Sequence, residues 1–309
     1  MPEPHPLIAV LIAAPGAGAL QQGFIDAVRA TFTRGEADHV APCVRCLARG
    51  DAYEVAFRAP PGFDPLALVR DLRALPGAPP FDLALLPPEH RRKRLLVIDM
   101  ESTIIQQECL DELADYLGLR QRVAAITERA MRGELDFAAA LRERVRLLKG
   151  LAAETLAEVY RDRVTLMPGA ETLVATMRAN GATCALVSGG FTFFTERVAT
   201  RLNFDLHQAN HLEIAAGRLV GTVGEPILGG EAKLAALQRL SESRGIARAL
   251  TLAVGDGAND LGMITAAGLG VAFRARPVVA EAAAVSIVHG DLTALLYLQG
   301  YCAEEFVFS

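Results

Sequence analysis

The chain has 309 residues, 51% hydrophobic and 22% charged, with a formal net charge of −5. That is material for a large core or two smaller ones, and the acidic balance argues against a general binder of nucleic acid or of an anionic membrane. No apolar run reaches the length of a membrane-spanning helix, and the scattered Cys43, Cys46, Cys109, Cys184 and Cys302 suit a reducing compartment, so a cytoplasmic protein is expected.

Residues 7–14 form an apolar, strand-like run preceded by Glu3 and by no lysine or arginine, unlike a secretory leader. A helix over 18–30 follows, then strands over 40–47 and 53–57 around the Arg49-Gly50-Asp51 turn. A helix from Pro65, capped by Asp64, and a strand over 81–86 complete the unit. Strand, helix, strand, strand, helix, strand is the order of a ferredoxin-like α+β domain, expected over residues 1–86. Cys43 and Cys46 have no second pair to complete a zinc site, so packing within a strand is their expected role. Pro87-Pro88 opens a linker over 87–94, and Arg91-Arg92-Lys93-Arg94 reads as its solvated end.

From residue 95 to 309 strands alternate with helices, which requires an α/β fold with a doubly wound parallel sheet. Its first strand, Leu95–Ile98, is the short apolar run of a buried parallel strand and ends in Asp99-Met100-Glu101-Ser102-Thr103. Ligands bind at the carboxyl ends of strands in such sheets, so Asp99 has three candidate tasks: helix cap, metal ligand or nucleophile. Residues 106–163 then carry four helical stripes, led by Cys109, Val123, Leu141 and Leu156 and punctuated by Gly118, Gly133 and Gly150. That is too long for a bare crossover and predicts a four-helix cap over the strand ends. Beyond Pro168 the spacing predicts a helix over 169–180, a strand over 183–187, Ser188-Gly189-Gly190 and a helix from Phe191. A hairpin within 205–224, a helix over 231–244 and a strand over 250–254 follow, with Gly255-Asp256-Gly257 and a helix from Asn259. A strand over 269–273, a short helix near Ala280, a strand over 285–288 and a helix from Asp291 close the domain.

Singly, each of these stretches has an ordinary explanation. Ser188-Gly189-Gly190 before a helix is anion-binding chemistry but also common turn chemistry. Asp256 and Asp260 read equally as a turn residue and a surface charge, and Lys233 as a solvated helix lysine. In this order, however, Asp99-x-Glu101-Ser102-Thr103, Ser188-Gly189-Gly190, Lys233 and Gly255-Asp256-Gly257-Ala258-Asn259-Asp260 resemble the four motifs of the haloacid dehalogenase superfamily, and within it the phosphoserine phosphatases. One letter departs, because the family has Asp where this chain has Glu101.

The resemblance implies an Mg²⁺-dependent phosphoric monoester hydrolase acting on O-phospho-L-serine, in serine synthesis, through an aspartyl-phosphate on Asp99. It assigns Glu101 the general acid/base task. Mg²⁺ would be held by Asp99, Asp256 and the Glu101 backbone carbonyl, with Asp260 holding a metal-bound water or orienting Lys233. The phosphoryl group would meet Ser188, Gly189, Gly190, Lys233 and Asn259. Glu108 would take the substrate ammonium and Arg144 its carboxylate, under a lid of Met131 and Phe137. The expected partner is a small phosphomonoester, with no nucleic acid and no membrane, and the expected assembly, if any, is a homodimer. In topology alone the N-terminal part resembles ACT-type regulatory domains. Two rivals stand beside hydrolysis. Glu at position 101 also occurs in a related phosphoserine:homoserine phosphotransferase group, and a catalytically silent amino-acid sensor would use the same fold.

Overall fold

A computed structural model describes residues 5–32, 42–131 and 134–308. The N-terminal part runs β1 (His5–Ile12), α1 (Gln22–Phe32), β2 (Cys43–Ala48), β3 (Ala52–Ala59), α2 (Pro65–Arg73) and β4 (Asp82–Leu86). Its four strands form an antiparallel sheet in the order β2-β3-β1-β4, the ferredoxin-like arrangement. Asp64 caps α2 by accepting the Leu66 N–H, and Pro65 occupies the first helical position.

The run at 7–14 is apolar on both faces because both faces of β1 are covered. Ala9 and Leu11 pack with Phe24, Ile25 and Val28 of α1 and with Leu68 and Leu72 of α2. Ile8, Val10 and Ile12 belong instead to the main core of the molecule. Cys43 and Cys46 are exposed on the edge strand β2, so the expected packing role does not hold for them.

The rest of the chain begins with β5 (Leu95–Ile98) and the cap helices α3 (Cys109–Tyr116), α4 (Arg120–Met131), α5 (Phe137–Arg146) and α6 (Glu154–Arg163). It continues through α7 (Ala170–Ala179), β6 (Thr183–Phe191), α8 (Thr192–Leu202), β7 (Leu206–Asn210), β8 (Leu212–Ala215), β9 (Arg218–Val223) and α9 (Gly230–Ser243). Last come β10 (Thr251–Gly255), α10 (Leu261–Ala266), β11 (Leu269–Phe273), α11 (Pro277–Ala282), β12 (Val285–Ile287) and α12 (Ala294–Leu298). Six strands form one parallel sheet in the order β12-β11-β10-β5-β6-β7. The expected hairpin within 205–224 is only half correct: β7 joins the parallel sheet at its edge, and β8 with β9 forms the hairpin. An edge strand with one covered face alternates in hydropathy just as a hairpin arm does, so local pattern does not separate them.

The chain leaves β5 toward β6 on one side and returns later to β10 on the other. That switch in strand order opens the crevice at the carboxyl end of β5. Every residue of β5 is buried between these neighbours. The cap stripes hold in the main, with Cys109, Leu113, Val123, Ile126, Leu141, Val145, Leu156 and Val159 all buried, although Leu117, which continues the first stripe, is exposed. The β8–β9 hairpin supports the cap from beside it, with Leu219 exchanging backbone hydrogen bonds with Gly150 and Leu151.

The basic run at 91–94 is a solvated linker end only in part: Arg92 and Arg94 are exposed, but Arg91 and Lys93 are not. Arg91 Nη1 lies 2.6 Å from Glu54 of β3, and its other nitrogens donate to the Leu298 and Tyr297 carbonyls at the end of α12. Lys93 is buried and donates to the Ala249 carbonyl at 2.7 Å. Asp82 of β4 accepts the N–H groups of Val288, His289 and Gly290 at 2.8–3.2 Å. The antiparallel sheet is thus fastened to the α/β part by charge-assisted bonds at two points of its inner face.

Candidate active site

Asp99 and Asp256 follow β5 and β10, and Ser188 lies in β6 just beyond its pairing with β5, so the three stand at one edge of the sheet. Asp99 is 5% exposed and Lys233 is 1% exposed. The Lys233 ammonium reaches Asp99 Oδ1 and Asp260 Oδ1, each at 2.6 Å. Asp260, fully buried, spends its other oxygen on the Gly257 N–H at 3.1 Å. Of the two tasks open to Asp260, this geometry is that of a residue orienting Lys233. Its side chain lies so close to Gly255 that a Cβ there would stand 2.2 Å from its carboxyl carbon, which is why the strand must end in glycine.

Ligand oxygens of Asp99, Asp256 and Asp260 lie within 4.8 Å of one another. Three carboxylates face one ammonium, so the cluster carries excess negative charge. Burial pushes Asp99 up; Lys233 opposes that, and Asp260 and Asp256 add to it. Burial and Asp260 likewise push Asp256 up to about 6. Burial works against the charge on Lys233, yet Asp99 and Asp260 outweigh it and hold the ammonium above the ordinary lysine range. A divalent cation would relieve the surplus, and a set of hard carboxylate oxygens is the chemistry Mg²⁺ prefers. Both Asp260 oxygens are engaged, by Lys233 and by the Gly257 N–H, whereas Lys233 takes only Oδ1 of Asp99, so Asp99 and the half-buried Asp256 are the carboxylates left to hold it.

Glu101 occupies the place where the departure from the motif was noted. Its Oε1 accepts the Cys109 N–H at the start of α3 at 2.7 Å. Its Oε2 packs on Gly190, where a Cβ would stand 2.7 Å away. Burial, followed by the Glu108 carboxylate, pushes Glu101 up to about 8, although the Cys109 contact and Arg144 pull it down. A carboxyl held there carries its proton near neutral pH, as a general acid must. Ser102, beside it, takes a left-handed conformation (φ 54°) and donates to Glu108 at 2.7 Å.

Arg144 on α5 is half-buried, and among the described residues its guanidinium makes one long hydrogen bond, 3.4 Å from Nε to Ala140 O one turn earlier. Its fork remains available for an anion. Phe137 covers the crevice, since a Cβ at Gly189 or Gly229 would meet its ring at 2.9 and 3.1 Å. Asn259 Nδ2 stands on the same side of Gly189. Met131 ends α4, but its side chain falls outside the described residues.

The Ser188-Gly189-Gly190 loop differs from expectation in one detail. The Gly190 N–H is not free for an anion, because it donates to Ser188 Oγ at 2.9 Å. Sequence reasoning also missed two residues. Thr103 donates to Asp256 at 3.4 Å, and Asn210, 2% exposed at the end of β7, bridges Gly189 to Leu228. No local pattern in the sequence marks Asn210 for this role.

Residues 96–265 match the family described as haloacid dehalogenase-like hydrolase. The chain belongs to that family. Among curated members, a phosphoserine phosphatase of Streptomyces coelicolor is 46% identical over 217 residues, which cover 70% of this chain and 53% of the relative. The chain therefore spans about half the length of that relative. A phosphoserine phosphatase of Albidiferax ferrireducens is 48% identical over 210 residues, 66% of this chain and 89% of the relative. Among solved haloacid dehalogenase-like structures, a hydrolase from Salmonella enterica serovar Typhi superposes with a TM-score of 0.82 at 31% identity, over 95% of this chain and 98% of that one. That superposition extends through the N-terminal sheet as well. Among the described residues, no helix is long and apolar enough to cross a membrane.

Proposed function

We propose that the protein hydrolyses O-phospho-L-serine to L-serine and phosphate through an aspartyl-phosphate on Asp99. The observation that carries this reading is the buried Asp99–Lys233–Asp260 chain, with both contacts at 2.6 Å, at the mouth of the switch-point crevice. Curated relatives at 44–48% identity that are phosphoserine phosphatases support the choice of substrate. Lys233 draws the phosphoryl oxygens toward Asp99 and offsets their repulsion, while Asp260 keeps the ammonium from turning away. Asp99, Asp256 and the Glu101 carbonyl would hold Mg²⁺, which when bound would supply charge neutralisation between two anionic reactants.

Attack by Asp99 expels the serine oxygen, which takes its proton from Glu101. Glu101, now ionised, then accepts a proton from the water that opens the phospho-aspartate. Glu108 and Arg144 are the pair for the substrate ammonium and carboxylate, and Phe137, with Met131, excludes bulk water. Ser188, Gly189, Gly190 and Asn259 line the phosphoryl pocket. A cytoplasmic location agrees with a soluble metabolite as substrate.

The test is phosphate release from a panel of small phosphomonoesters with Mg²⁺ and with EDTA, including one arm with added homoserine. Release from phosphoserine that EDTA abolishes is the expected result. Phosphohomoserine in place of inorganic phosphate would mean transfer, and no turnover of any ester would end the enzymatic reading. Asp99→Asn should fall to background turnover with the fold intact, and parent-like turnover without a trapped aspartyl-phosphate would remove Asp99 as nucleophile.

A further inference from the structure

We propose that Asn210 is a positioning residue that sets the shape of the phosphate pocket by bracing its two walls; the inference rests on the phosphatase reading above. The first wall is the Gly189–Gly190 peptide, which is held at both ends. Asn210 Nδ2 donates to the Gly189 carbonyl at 2.8 Å, and the Gly190 N–H donates to Ser188 Oγ at 2.9 Å. A peptide plane held at its oxygen and its nitrogen cannot rotate, so the turn that presents Ser188 is fixed.

The second wall is the segment that leads into α9. Asn210 Oδ1 accepts the Leu228 N–H at 2.7 Å, and Nδ2 also donates to the Leu228 carbonyl at 3.1 Å. One residue later the chain reaches Gly229, whose carbonyl accepts the Lys233 backbone N–H at 3.3 Å in the first turn of α9. One amide therefore sets the separation between the Ser188 loop and the base of the lysine. The Phe137 ring rests on both walls, at Gly189 and at Gly229, so a slip between them also displaces the lid. Asn210 itself is 2% exposed, and truncation removes the partner of three part-buried backbone groups.

The experiment compares the parent with Asn210→Asp and Asn210→Ser. Asp keeps the shape and the Leu228 acceptor but cannot donate when ionised, and Ser is too short to span both walls. Turnover of phosphoserine and of p-nitrophenyl phosphate is measured well below the unfolding midpoint. The dissociation constant of inorganic phosphate is measured by calorimetry with Mg²⁺ present. The KM for both esters and the phosphate dissociation constant should rise together, by about tenfold or more, because the altered part is the pocket common to all three ligands. A phosphate constant within twofold of the parent in both variants, with only the midpoint lowered, makes Asn210 purely structural and overturns the proposal. A parent that turns over no phosphoserine refutes the phosphatase reading instead, and the phosphate constants still decide the role of Asn210.

Discussion

Gly190→Ala isolates the contact on which the longer arm of Glu101 depends. The added methyl would stand 2.7 Å from Glu101 Oε2 and 3.0 Å from its carboxyl carbon, where ordinary van der Waals contact begins at about 3.4 Å. Gly190 has no left-handed φ, so the backbone tolerates alanine and the carboxylate is what must yield. The shift needed is roughly 0.7 Å, and the Cys109 N–H holding the other oxygen at 2.7 Å resists it. Since a misplacement of about 1 Å at a reacting group costs on the order of 10²-fold, kcat for phosphoserine should fall by about 10- to 100-fold. KM and the unfolding midpoint should change little, because the flexible end of one side chain absorbs the clash. Glu101→Asp shortens the arm and removes the obstacle, so the double variant should be far more active than the product of the two single effects. Steady-state kinetics on the parent, both single variants and the double variant complete the cycle. Additive losses, or a Gly190→Ala enzyme with parental kcat, would show that Glu101 does not work from the position held by Cys109 and Gly190.

Three further outcomes follow from other parts of the molecule. Arg144→Lys keeps the charge but loses the fork, so phosphoserine should lose about 1.5–3 kcal/mol in kcat/KM while phosphoethanolamine, which lacks the carboxylate, is nearly unaffected; equal losses would make Arg144 structural. Burial lowers Lys93 to about 8, so the unfolded chain binds more protons there and stability rises with pH between about 8 and 10.5. Lys93→Met should accordingly be more stable than the parent at pH 7 by up to roughly 3 kcal/mol, with the gap closing by pH 10; a constant gap in thermal melts would mean that Lys93 stays charged. Asp82→Ala strands the N–H groups of Val288, His289 and Gly290 and should cost about 2–4 kcal/mol of stability, read by urea unfolding, with kcat at low temperature unchanged.

The parts of the site that sequence made legible share a cause. Asp99, Ser188 and Asp256 each follow an apolar run that ends at a turn, and a parallel sheet forces such ends together whatever the side chains are. Lys233 could be placed only by its position in the motif order, since a buried helix lysine and a solvated one look alike until Asp99 and Asp260 are seen beside it. What escaped were contacts between residues distant in the chain. Arg91 meets Glu54 across 37 positions and the end of α12 across more than 200, and such pairs leave no local period to read. Asn210 escaped for the same reason, because its two partner residues lie 18 and 21 positions away. The consumption of the Gly190 N–H by Ser188 depends on one hydroxyl rotamer, which no residue pattern specifies.

Helix α12 has no polar side, and each of its residues, Ala294, Leu295, Leu296, Tyr297 and Leu298, is buried. It lies between the two sheets, with β1 on one side and α7 on the other. A helix apolar all round belongs to an interior, so the antiparallel sheet is a wall of the catalytic part's own core. Cutting the chain near residue 90 would lay that wall open, and the remaining fragment should self-associate through it. A catalytic part without such a sheet would need polar side chains on the stripe of this helix that β1 covers here. Grafting those polar positions onto α12 is therefore the change needed to make residues 95–309 stand alone.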